Sequence, residues 1–83
     1  MAESLIAERI GQSIQAMRKH RGLTKVELAE RIGITRQKLS EIEKGSTTVA
    51  MSYYCRALNA LGCEVEVVPR RMPTLDELDK VFA

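Results

Sequence analysis

Residues 22–45 read GLTKVELAERIGITRQKLSEIEKG, two short segments of helical pattern joined at Gly33. In the first, Thr24 and Glu27 stand three apart as a capping box, and Leu23 with Leu28 can close a hydrophobic staple across it. Leu28, Ala29 and Ile32 then recur on one side, and Gly33 supplies a left-handed exit, which predicts a helix of about two turns. The second segment starts in the same way, with Ile34 and Leu39 as the staple and Thr35 as the cap. Its first and third helical positions, however, are Arg36 and Lys38. Positive side chains at a helix N-terminus oppose the helix dipole, so local stability argues against them. They make sense if something anionic sits there.

Helical periodicity puts Leu39 and Ile42 on the buried side of this second segment, with Glu43 at its edge. Gln37, Ser40, Glu41 and Lys44 point the opposite way, flanked by Arg36 and Lys38. That outward face is rich in groups that suit base edges or phosphates. Taken alone, the same helix reads equally well as a merely solvated surface. The pair of segments adds more: a small residue, Ala29, where two helices cross, a glycine in the turn, and two apolar anchors beyond it. This spacing makes a helix-turn-helix candidate that holds its second helix exposed at a set angle for the major groove of DNA.

Upstream, Ile6, Ile10, Ile14 and Met17 form one stripe of an amphipathic helix from Leu5 to His20, ended by Arg18, Lys19, Arg21 and Gly22. Downstream, STTVAMSYYCRALNALG predicts a fourth helix capped by Thr47 or Thr48, with Met51, Tyr54, Cys55, Leu58 and Leu61 as its apolar stripe. Next comes GCEVEVVPR, in which Cys63, Val65 and Val67 alternate with Glu64 and Glu66, the period of a strand with one buried face. No other stretch of the 83 residues reads as a strand. Its edge therefore needs a partner from outside the chain. A second copy pairing antiparallel would close it, with Val65 and Val67 facing the helices; a different protein is the other candidate. In the last stretch Thr74 and Glu77 make a further capping box, and Leu75, Leu78 and Phe82 line one side of a possible short helix.

The chain has room for one small domain with an aliphatic core, having one Phe, two Tyr and no Trp. Cys55 and Cys63 lack metal-ligand spacing and His20 stands alone, so neither a zinc site nor a disulfide scaffold is expected. No nucleophile–base constellation and no Gly-rich phosphate loop is present, so an enzyme and a cofactor are not expected either. No apolar run is long enough to span a membrane, and MAESLIAERI lacks the form of a signal peptide, which makes the cytoplasm the expected location. Residues 1–63 hold ten Lys/Arg against six Asp/Glu, whereas residues 64–83 hold three against five. A basic body and an acidic tail suggest two different partners.

From Ile10 to Gly62 the sequence resembles the phage-repressor/Cro, or XRE, helix-turn-helix family, through LTxxELAxxxG, SxIExG and ALG. The resemblance implies a mainly α fold: a helix-turn-helix bundle of four to five helices over residues 1–62. Residues 63–69 follow as a C-terminal β-strand pairing across a dimer, and 70–83 as a tail, expected as a short helix or disordered. It also implies regulators that bind palindromic double-stranded DNA operators as homodimers. Carried over by position, Arg36 and Gln37 occupy the main base-reading places, with Lys38, Ser40 and Glu41 beside them. Thr24, Lys25, Thr35, Lys44 and Thr47 fall at backbone-contacting places; the family often has Gln where Lys25 stands, and a lysine there suits a phosphate. Arg18 and Glu43 match a family pair that forms a buried or semi-buried salt bridge. A helical domain followed by one alternating strand further resembles the HipB-like antitoxins, in which that strand forms a sheet across the dimer. Those proteins repress their own operon and bind a HipA-type kinase toxin. On that resemblance Cys63, Val65 and Val67 would dimerise, and Leu75, Leu78 and Phe82 would meet a toxin. The competing expectation is an interaction module that mainly neutralises a toxin, with DNA binding secondary.

Overall fold

Four stretches of helical periodicity become four helices in the computed structural model, which describes residues 2–69. They are α1 (Ala2–His20), α2 (Lys25–Ile32), α3 (Arg36–Glu43) and α4 (Met51–Ala60). Leu75, Leu78, Phe82 and the capping box at Thr74 and Glu77 lie outside the described residues. α1 begins three residues before the expected Leu5 and ends, as its basic last turn suggests, at His20. α2 carries both halves of its capping box: Thr24 Oγ1 accepts from the Glu27 N–H at 3.1 Å, and Glu27 Oε1 accepts from the Thr24 N–H at 3.0 Å. The Thr24 N–H, bonded to the charged carboxylate, holds the Glu27 carboxyl below its ordinary pKa. Gly33 then closes α2 in the left-handed region, at φ 82°, and donates its N–H to the Ala29 carbonyl.

Ile14, Leu28, Leu39, Ile42 and Leu61 are fully buried and come from all four helical regions of the chain. Each such side chain contributes about 1.5–3 kcal/mol relative to exposure. α3 packs between α1 and α2, and α2 also meets α4. Ala57 is completely buried, which fits a small residue at a close helix crossing.

The start and face of α4 differ from expectation. Its N-cap is Ala50, without a side-chain cap bond, rather than Thr47 or Thr48. The chain is detained before the helix because Val49 is buried and Tyr54 Oη donates to the Ser46 carbonyl at 2.7 Å. Ser46 and Thr48 instead bond to each other across a turn, Oγ to Oγ1 at 2.9 Å. Its inner stripe is Tyr54, Ala57 and Leu61, with Leu58 half-buried, whereas Met51 and Cys55, on the flank of that stripe, face out.

Residues 63–69 form neither helix nor strand in the single chain. Cys63 is tied to the end of α4 by its N–H to the Leu58 carbonyl at 2.8 Å, while Val65, Val67 and Val68 are exposed. A strand is defined by a ladder, and none of the described residues offers this segment a second row of backbone groups.

α1 crosses the end of α3 with no side chain between the two backbones. A Cβ at Gly11 would lie 2.5 Å from the Ile42 carbonyl oxygen and 2.7 Å from that of Glu43. One at Gly45, itself at φ +78°, would lie 2.5 Å from the Glu8 Cα. At an uncrowded helical glycine, alanine stabilises by up to about 1 kcal/mol. Here Gly11→Ala is expected to destabilise by about 1–3 kcal/mol through overpacking, read as a lower urea midpoint. A raised midpoint would refute the contact.

Candidate nucleic-acid interface

The orientation of α3 follows from what fixes its inner side. Leu39 and Ile42 are fully buried, and Glu43 is only 6% exposed. A carboxylate so placed needs a partner, and Arg18 of α1 provides one: Nε donates to Oε2 at 2.8 Å and Nη2 to Oε1 at 3.3 Å. Arg18 Nη1 also donates to the Leu23 carbonyl at 2.8 Å. One guanidinium thus joins α1, α3 and the entry to α2. Among the described residues no buried side-chain polar atom is left without a hydrogen bond.

With the inner side fixed, Arg36 and Gln37 stand exposed at the N-terminal end of α3. Thr35, also exposed, caps the helix by accepting from the Lys38 N–H at 3.0 Å. No acidic residue lies in the first turn; the dipole's positive end carries Arg36 and Lys38, and the nearest counter-charge is Glu41 Oε2 of the next turn, 3.5 Å from Lys38 Nζ. Ser40 and Glu41 are half-buried further along. Lys25, at the start of α2, reaches Ser40 Oγ at 3.4 Å, which sets the N-terminus of α2 beside the polar side of α3. Thr24 is exposed but its hydroxyl is engaged as the cap. Lys44 is exposed at the C-cap of α3, and Thr47 is exposed in the following turn.

The residues expected at a dimer contact lie elsewhere. Cys63 and Val65 border an apolar groove of about 350 Å³ between α1 and α4, whose walls include Ile10, Met17 and Leu58. Val67 is beyond it, 92% exposed.

Two residues near α3 were not singled out by sequence reasoning. The Tyr53 ring centroid lies 5.5 Å from Lys38 Nζ and 5.6 Å from Arg56 Cζ. Arg56 Nη2 also donates to the Ile32 carbonyl, 2.7 Å away at the end of α2. The one-turn spacing of Tyr53 and Arg56 is a legible signal for a side-chain pair. Nothing in the sequence points across from α4 to Lys38.

The surface offers hydrogen-bond donors, acceptors and positive charge on a rigid helix, which is the chemistry of nucleic-acid contact. The described residues contain no cluster of three potential metal ligands and no helix long and apolar enough to cross a membrane.

A family model described as "Helix-turn-helix domain" matches residues 9–70. The chain belongs to this helix-turn-helix family, and its relatives place it with the phage-repressor, or XRE, type. An immunity repressor protein of Bacillus phage phi105 is 37% identical over 59 residues, 71% of this chain and 41% of the repressor. The chain therefore spans less than half the length of that relative. An uncharacterized HTH-type transcriptional regulator of Methanothermobacter thermautotrophicus is 45% identical over 51 residues, 61% of this chain and 74% of the regulator. In fold, the chain is similar to a chain of a solved structure described as "Structure of HipA-HipB-O2-O3 complex". The TM-score is 0.70 at 20% identity, over 78% of this chain and 92% of that one. The helical region is thus a DNA-binding helix-turn-helix domain of the kind found in transcriptional regulators.

Removing either member of the Arg18–Glu43 pair leaves the other charge buried, at a cost of about 3–5 kcal/mol. Arg18→Met and Glu43→Leu should each lower the urea midpoint sharply, and the double variant should be more stable than either single one. Additive losses in the double variant would show that the pair is not coupled.

Proposed function

We propose that this chain is a sequence-specific repressor that binds a palindromic operator as a homodimer, with α3 in the major groove. The observation that carries this reading is the exposure of Arg36 and Gln37 at the front of a helix whose other side is locked into the core. Arg suits guanine, and Gln suits adenine, through paired hydrogen bonds. Ser40 and Glu41 complete the base-reading face, to which the family resemblance also assigns Lys38. Thr24, Lys25, Thr35, Lys44 and Thr47 contact the DNA backbone on either side.

One domain reads a short half-site, and two copies related by a two-fold axis read a palindrome. Exposed Val65 and Val67 on a segment without a ladder, next to an apolar groove, support pairing of residues 63–69 with a second copy. In that arrangement the helical region to Gly62 binds DNA and Cys63, Val65 and Val67 join the copies. The fold likeness to a chain of the HipA-HipB-O2-O3 complex favours a further role: an antitoxin that represses its own operon. On that reading Leu75, Leu78 and Phe82 would engage a kinase-like or other toxin, and toxin neutralisation could be the main task.

Selection of duplexes from a random pool by the full chain tests the core of the proposal. Wild type should enrich a palindrome, and Arg36→Ala or Gln37→Ala should lose about 1–3 kcal/mol of discrimination at one position in each half-site. Lys25→Ala should weaken all duplexes alike. Native mass of the chain purified at its natural level tests the assembly. Two copies alone support the self-sufficient repressor, two copies with a larger protein support the antitoxin, and a monomer refutes strand pairing.

A further inference from the structure

We infer that Lys38 and Arg56, held by the ring of Tyr53, form a phosphate clamp on the α4 flank of the recognition helix, with Tyr53 as its positioning residue. This rests on the DNA-binding reading above, and it moves Lys38 from the base-reading group to the backbone-contacting one.

Two cations from different helices converge on one aromatic ring, both within the distance at which the ring's electron-rich face attracts them. Few carboxylates stand beside these two positive charges. Lys38 Nζ has one carboxylate oxygen, Glu41 Oε2, at 3.5 Å. No ion pair links Arg56 to a carboxylate among the described residues. Arg36, at the front of the same helix, adds a third positive charge to this end of α3. An anion from outside resolves the excess, and along a duplex the anions are phosphates at fixed spacing.

Both side chains are also aimed. Lys38 is half-buried, its ammonium directed toward Tyr53 of α4 rather than left to sweep the outward face that carries Gln37 and Lys44. Arg56 is anchored at Nη2 by the Ile32 carbonyl. That bond uses one of the five N–H donors of a guanidinium, and the others remain to bind phosphate oxygens. Because α4 and the end of α2 hold Arg56, and α3 holds Lys38, the clamp fixes the rotation of α3 over the duplex. Base reading by Arg36 and Gln37 depends on that rotation.

The salt dependence of binding reads the clamp directly, since each phosphate contact adds about 0.9 to the slope of log affinity against log salt. The probes are the duplex enriched by the wild-type chain and a random-sequence duplex of equal length. Lys38→Gln and Arg56→Gln should each lower the slope by about 0.9 on both probes and leave the enriched sequence unchanged. Tyr53→Leu removes no charge, yet it should lower the slope by a similar amount; Tyr53→Phe, which keeps the ring, should match wild type. Thermal melting separates these effects from unfolding, and if Tyr53→Leu fails to fold, the two charge variants decide alone. Wild-type slopes in both charge variants, or an altered enriched sequence in Lys38→Gln, overturn the clamp. A wild-type slope in folded Tyr53→Leu overturns the positioning role. Absence of any duplex binding by wild type would instead overturn the DNA-binding reading itself, and the clamp with it.

Discussion

The contact between the backbone of α1 at Gly11 and the last turn of α3 decides where everything else in this molecule can lie. No side chain fits between Gly11 and the Ile42 and Glu43 carbonyls, or between Gly45 and the backbone of Glu8. Two helices in such contact have little freedom to slide, because any shift drives main-chain atoms into one another. The Arg18–Glu43 ion pair acts seven residues further along α1 and removes the freedom to roll. α3 is therefore held at its C-terminal end by both sterics and charge, and further along by the buried Leu39 and Ile42. In a chain of this size, which buries a modest fraction of its surface, such fixed points matter more than the bulk of the core.

Local chemistry explains which parts of this arrangement were legible in the sequence. Thr24 and Glu27, Gly33, Thr35, and the inward Leu28, Ala29, Ile32, Leu39 and Ile42 were all readable. Each obeys a rule that acts within a few residues of itself. The start of α4 was misread because Thr47 and Thr48 are good caps in isolation. What delays the helix is tertiary: a buried Val49 and a bond from Tyr54 back to Ser46. Met51 and Cys55 were misplaced because helical spacing puts them only at the flank of the stripe formed by Tyr54, Ala57, Leu58 and Leu61, and the core covers its other side.

Gly11 carried a signal that went unread. A glycine inside an otherwise regular helical pattern weakens the helix and so suggests close packing, but the sequence does not say against what. The cations around Tyr53 are illegible for a stronger reason, since Lys38 and Arg56 sit on different helices and meet only once the bundle has formed. Of the outward face, the exposure of Arg36 and Gln37 followed from periodicity alone. The roles assigned to them came from family resemblance, and the residues that border them were visible only in three dimensions.

The division of labour along α3 has a consequence for how such a protein changes over time. Leu39, Ile42 and Glu43 anchor the helix, whereas Arg36 and Gln37 are exposed and make no contact on which the core relies. Exposed substitutions away from caps and buried partners usually shift stability by no more than about 0.5 kcal/mol. Under the proposed reading, the two positions that choose the target are therefore nearly independent of the positions that keep the chain folded. Descendants of this sequence can try new pairs of side chains there one at a time, each a viable protein, and so drift from one DNA site to another without passing through an unfolded intermediate.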